Sequence, residues 1–161
     1  MMLQIEGLGI ILYSPRAVAH IAPGEDYLTT HYWNPSDVQQ QIQAGSIVGF
    51  ATGSPGTFIL EFLQGCPSDN LLESSDFKLR LGVKVDDQGL CVRDLYDLMD
   101  WDPSCSPEQT VRLDRGVYMI TLCSSRPASG ILGDHQTILV YLQPLPEMPL
   151  LSIKGVPALW A

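Results

Sequence analysis

Between Phe77 and Val85 every odd-numbered position is apolar, and the even ones are Lys78, Arg80, Gly82 and Lys84. Period-two alternation sets one face of a strand against a core and the other in solvent, which predicts an antiparallel strand with a basic outer face. Asp86-Asp87-Gln88-Gly89 then supplies turn residues, and Leu90-Cys91-Val92 returns as a strand, so the pattern predicts a hairpin. Residues 46–51 and 57–63 read as strands flanking the turn formers Gly53, Pro55 and Gly56, with Phe58, Leu60 and Phe62 on one face. Residues 117–123 and 137–142 are almost continuously apolar, as in central strands covered on both faces. Residues 3–5, 9–13 and 17–21 add three N-terminal strands.

Helical signals are fewer. Asn34 suits an N-cap, Pro35 the first helical position and Asp37 the positive end of the helix dipole, with Gly45 placed to end a helix through Ala44. A shorter helical turn is predicted over residues 94–101. There Leu95, Leu98 and Met99 fall on one side and Asp94, Asp97 and Asp100 on the other. Many short strands with one or two short helices predict a mostly β protein, an antiparallel β-sandwich, with a small barrel as the alternative. The whole chain reads as one domain, with an extended tail from about residue 144 that carries Pro144, Pro146, Pro149 and Pro157.

Composition narrows the classes. The 161 residues are 45 % hydrophobic and 17 % charged, the balance of a folded protein. A net charge of −9 and a pI near 4.5 argue against nucleic acid and against an anionic membrane surface as partners. A basic protein or a cation is the better match. The N-terminus lacks a basic region followed by a continuous apolar core, and no run is long enough to span a bilayer, so a cytoplasmic location is expected. Cys66, Cys91, Cys105 and Cys123 show no paired C-x-x-C spacing and are expected to be reduced, with a Cys66–Cys105 disulfide as the alternative.

The charge is concentrated. Residues 86–114 hold eight acids against Arg93 and Arg112, a net of −6. Within them Asp94, Asp97, Asp100 and Asp102 are interleaved with Leu95, Tyr96, Leu98, Met99 and Trp101. Three readings stay open: a solvated acidic face offset by Arg93 and Arg112 as surface ion pairs, a patch that grips a basic protein, and a calcium site. The spacing does not match a calcium-binding Asp-x-Asp-x-Asp-Gly loop. Trp101, set between two acids, fits a half-exposed interface aromatic. The candidate partner-binding residues are Asp86, Asp87, Asp94, Asp97, Asp100, Trp101 and Asp102, with no metal and no cofactor required.

Catalytic signals are weak. His20 lies in an apolar run, His31 among Tyr27, Tyr32 and Trp33, and His135 in the Ser- and Gly-rich loop 123–136. No nucleophile elbow, H-E-x-x-H or P-loop is present, and Gly45, Gly49, Gly53 and Gly56 do not join a strand to a helix as a phosphate cradle must. The sequence therefore reads as a non-enzyme. A ligand-binding sandwich and a small hydrolase are the competing classes. Trp33 is expected to pack on the sheet, and Trp160 to be ordered only if the C-terminal tail docks.

The landmark order Tyr32-Trp33, Asn34-Pro35-Ser36-Asp37-Val38, Gly45, Ile47-Val48-Gly49-Phe50 and Gly56-Thr57-Phe58-Ile59-Leu60-Glu61 resembles a group of small bacterial β-rich proteins. That group is similar in outline to the competence nuclease inhibitor and to toxin immunity proteins, and the likeness spans roughly residues 27–143 in layout. The resemblance implies a cytosolic immunity protein that binds and blocks a cognate secreted toxin. A nuclease, with its basic cleft, is the electrostatically natural target.

Overall fold

The computed structural model describes residues 1–151 and 155–159; Trp160 lies outside them. In chain order the elements are β1 (Met2–Ile5), β2 (Gly9–Tyr13), α1 (Tyr27–His31), α2 (Pro35–Ala44), β3 (Ile47–Ala51), β4 (Gly56–Gln64) and α3 (Asp69–Ser74). They continue as β5 (Phe77–Val85), β6 (Leu90–Asp94), β7 (Thr110–Val111), β8 (Gly116–Ser124) and β9 (Gln136–Leu145). Single 3₁₀ turns occupy Pro15–Val18, Leu95–Met99 and Pro107–Gln109.

Two sheets form, in the orders β1-β4-β9-β8-β5 and β3-β2-β6-β7. Among their pairings only β4 with β9 is parallel. The fold is thus the sandwich that the alternation predicted. Phe58, Leu60, Leu81, Val83, Ile120, Leu122, Ile138 and Val140 from one sheet meet Ile10, Leu12, Val48, Phe50, Leu90 and Val92 from the other in one buried cluster. Each such side chain contributes roughly 1.5–3 kcal/mol by leaving water.

All five residues of β2 are buried, as their unbroken apolar run requires. The segment after α1 closes over this sheet. The Tyr32 hydroxyl donates to the Ile47 carbonyl at 2.9 Å and accepts from the Gly49 N–H at 2.9 Å. Gly49 permits that approach, since a Cβ there would stand 2.9 Å from the same hydroxyl oxygen. α2 follows its signals: the Asn34 side chain caps the Ser36 N–H, Pro35 opens the helix, and Gly45 ends it at φ 68°. Val38 and Ile42 are its buried contacts.

Several expectations are corrected. Residues 17–21 are not a strand: Pro15 fixes φ and lacks an N–H, and the chain turns as a 3₁₀ helix with the Ala17 N–H on the Ser14 carbonyl. β9 is not covered on both faces, because Ile138, Val140 and Leu142 are buried while Thr137, Leu139 and Tyr141 are only half-buried. The helices α1 and α3 add to those foreseen, each started by a side chain that accepts from a backbone N–H, Asp26 for Thr29 and Ser68 for Leu71. Among the described residues of the tail, 157–159 dock. The Ala51 N–H donates to the Pro157 carbonyl at 2.7 Å and the Leu159 N–H donates to the Ala51 carbonyl at 2.9 Å, covering the edge of β3.

The predicted turn at Asp86–Gly89 forms, with Asp86 and Gly89 bridged antiparallel and the Gly89 N–H on the Asp86 carbonyl at 3.2 Å, but beyond it the two strands part into different layers and the turn becomes a corner. β5 pairs with β8 in the first sheet, whereas β6 pairs with β2 in the second. Both strands must turn apolar faces to the shared core, so the chain crosses the sandwich rather than folding back in plane. Ser14 locks the crossing, its hydroxyl donating to the Gly89 carbonyl at 2.5 Å and accepting from the Asp86 N–H at 3.0 Å. Ser14→Ala is expected to cost about 1–3 kcal/mol by orphaning buried backbone groups, with an unchanged denaturant slope. Urea unfolding measures it, and a loss within error of zero would contradict the role given to this hydroxyl.

Candidate partner-binding surface

The acidic segment begins where β6 ends. Asp94 caps the 3₁₀ turn through Tyr96 N–H (3.0 Å to Oδ1) and ties down the β1–β2 connection through Glu6 N–H (2.8 Å) and Gly7 N–H (3.1 Å) on Oδ2. Leu95 and Leu98 are buried, as their spacing predicted. Met99 is not. It is 46 % exposed, and Tyr96 is 43 % exposed beside it. A 3₁₀ turn repeats every three residues rather than 3.6, so Leu95 and Leu98 share its inner face while Tyr96 and Met99 share an outer one.

Trp101 overturns the expectation of a half-exposed aromatic: it is 2 % exposed. Its ring meets Tyr13 edge-on at 5.5 Å between centroids, and the Arg93 guanidinium lies 4.5 Å over it. Its backbone is pinned to a distant segment, with Gly24 N–H on the Trp101 carbonyl (2.7 Å) and Trp101 N–H on the Glu25 carbonyl (3.1 Å). That pairing brings Glu25 and Asp26 next to the acidic turn.

Arg93, expected as a surface ion-pair partner, is 8 % exposed. It donates to Asp97 Oδ2 (2.9 Å), to the Tyr13 hydroxyl (3.2 Å) and to the Asp102 carbonyl (2.5 Å). Burial works against its charge, but Tyr13 and Asp97 favour it, and the balance raises its pKa above the ordinary value. Burial likewise pushes the Tyr13 phenol up, against the opposing pull of Arg93, so it stays neutral.

The proposed site residues thus separate. Asp94 and Trp101 are structural. Asp97 is half-engaged by Arg93, while Asp100 and Asp102 stand exposed with Tyr96 and Met99. Asp86 is buried at the corner and accepts from Arg16 N–H (2.9 Å) and Gln88 N–H (2.7 Å); exposed Asp87 meets Arg16 at 3.5 Å. β6 lies between these two and the acidic turn, a span of about 15 Å at the usual strand rise. Glu25 and Asp26 join the acidic face in their place. No local signal announced them, since only the pairing of residues 24 and 25 with Trp101 brings them near.

Among the described residues the three histidines lie against tyrosine or aspartate. His20 Nε2 lies 3.4 Å from the Tyr27 hydroxyl, the His31 ring packs on the same tyrosine at 5.0 Å, and His135 Nδ1 lies 3.3 Å from Asp134 Oδ1. None has a serine or cysteine as hydrogen-bond partner among the described residues. Among those residues no three acids, histidines or cysteines are grouped to hold a metal ion. The four cysteines are free thiols, and burial pushes Cys91 up to about 12.

Two acids of the face are held below the ordinary carboxyl value of 3.8: Asp26 by the Thr29 hydroxyl and N–H, Asp102 by the Ser104 N–H and hydroxyl. Both are charged at neutral pH. Their contribution to stability is present above the unfolded value and lost as pH falls through the lower folded value. The wild type is expected to lose more stability between pH 5 and pH 3 than the Asp26→Asn/Asp102→Asn variant, read from urea midpoints. Equal losses would contradict the two caps.

Solved structures with this fold include ComJ from Bacillus subtilis, an inhibitor of the DNA-degrading activity of NucA, with a TM-score of 0.51 and 12 % identity over 90 % of this chain and 94 % of that one. Another is the product of crocagin biosynthetic gene J, with a TM-score of 0.53 and 11 % identity over 88 % and 94 % of the two chains. No protein-family model matches the sequence, and no curated relative matches it. The fold shared with the competence nuclease inhibitor is therefore the one that the sequence landmarks suggested.

Proposed function

We propose that this chain is a cytoplasmic, single-domain immunity protein that binds and blocks a cognate protein toxin, with a nuclease as the favoured class of target. The observation that carries the reading is that Asp26, Asp100 and Asp102, without cationic partners among the described residues, are exposed on the segments that the pairing of residues 24 and 25 with Trp101 brings together, along with the exposed Tyr96 and Met99. Aromatic and methionine side chains are enriched in interface cores, and a rim of acids complements a basic cleft. The likeness in fold to an inhibitor of DNA degradation supports the same class of role. Inhibition by occlusion needs no catalytic group, cofactor or membrane contact in the inhibitor. Among the described residues no helix is long and apolar enough to cross a membrane.

Charge and apolar contact divide the work. Acids at the rim accelerate encounter, and the tyrosine buried on docking slows release. Asp100→Lys/Asp102→Lys is expected to slow association about tenfold or more at low salt, with a loss of stability no larger than that of Asp102→Asn. Tyr96→Ala is expected to raise the dissociation rate, at a cost of about 2 kcal/mol. The partner to use is the product of the adjacent gene, tested by co-expression, growth rescue and co-purification, then by surface plasmon resonance. Absence of rescue and of co-purification would overturn the reading. Binding with unaltered rates in both variants would overturn the choice of surface.

A further inference from the structure

The cations of this acidic chain are not scattered. A cavity of about 420 Å³ opens between the 3₁₀ turn after β2, the end of α2 and the edge of the β5–β8 pair, and Arg16, Lys84 and Arg115 line it together with Ser14, Ser46 and Asp86. Three of the nine lysines and arginines of a chain with net charge −9 thus share one concave site. All three are exposed at the mouth of the cavity, and their clustering raises a local positive potential that the overall charge would not suggest.

These cations are not consumed by the groups around them. Asp86 lines the cavity and offsets one of the three charges, yet its two oxygens accept the Arg16 and Gln88 backbone N–H groups rather than a cationic head. The carbonyl of Gly45, at the end of α2, is taken by the Lys84 N–H at 2.9 Å. Arg16 meets Asp87 at 3.5 Å with both side chains mostly exposed, a pairing of small worth. Lys84 and Arg115 have no carboxylate within ion-pair distance among the described residues.

We infer that this cavity is a binding site for a phosphate group, with Arg16, Lys84 and Arg115 as its ligands. Three cationic heads supplied by three separate elements suit a tetrahedral dianion with three or four acceptor oxygens, whereas a planar carboxylate is satisfied by one guanidinium fork. The volume is within the range of small-ligand pockets and exceeds the need of a bare phosphate, leaving room for what the phosphate is attached to. The site stands apart from the acidic surface proposed for the protein partner and does not depend on it.

Isothermal titration of the purified chain at fixed ionic strength tests the inference, with inorganic phosphate, adenosine monophosphate and malonate as probes. Saturable one-to-one binding of phosphate is expected, weakened about tenfold or more by Lys84→Ala/Arg115→Ala, about 1.4 kcal/mol or more. Lys78→Ala, an exposed cation of the same strand roughly 20 Å away by strand rise, is expected to leave affinity unchanged. Tighter binding of adenosine monophosphate than of phosphate assigns the site to phosphate esters, and the reverse assigns it to the free ion. No binding of either, equal binding of malonate, or equal weakening by Lys78→Ala would each overturn the assignment. Circular dichroism of the variants confirms that they are folded.

Discussion

The burial of Arg93 is the constraint from which the acidic end of this molecule is built. A guanidinium taken out of water is costly unless its donors and its charge are met. Here the Tyr13 hydroxyl, the Asp97 carboxylate and the Asp102 carbonyl meet them, and the Trp101 ring covers the flat face. To hold that arrangement, the chain after β6 must tighten into a 3₁₀ turn, bring Trp101 inward and fix its backbone against Gly24 and Glu25. The remaining acids then have nowhere to go but out. An inward cation thus organises an outward anionic segment, on which Tyr96 and Met99 are also exposed.

The two ends of β6 carry opposite characters as a result. At the Asp94 end lie the exposed acids; at the Asp86–Gly89 corner lie Arg16, Lys84 and Arg115 around a cavity. Asp86 and Asp87 contribute to the negative count of the segment, yet the corner occupies Asp86 with backbone N–H groups and sets Asp87 against Arg16. Net charge alone would have assigned all eight acids of residues 86–114 to one surface. The fold divides them by what each oxygen accepts.

Much of the sandwich was legible along the chain because strand and helix periods differ and β5 and α2 display theirs cleanly. Alternation marked the two faces of β5, and Asn34, Pro35 and Gly45 bounded α2. What was not legible was which sheet each strand joins. Asp86-Asp87-Gln88-Gly89 has the composition of a hairpin turn, and only the competing partners β8 and β2 make it a corner. The placement of the acidic residues was legible only in part for a similar reason. Acids in sequence announced the face, but Trp101 looked exposed among charged neighbours, because the buried cation that covers it is eight residues away and its other partner, Tyr13, is farther still. Glu25 and Asp26 reach the face through tertiary pairing, which no local pattern encodes.

Hydrogen exchange on the complex with the adjacent gene's product tests the central claim most directly, because it reports where the partner sits without altering a residue. The account predicts new protection across residues 24–29 and 95–102, with the corner at residues 86–89 and strand β5 unchanged. Protection confined to β5 or to the corner, with the acidic turn exchanging as in the free protein, would contradict it.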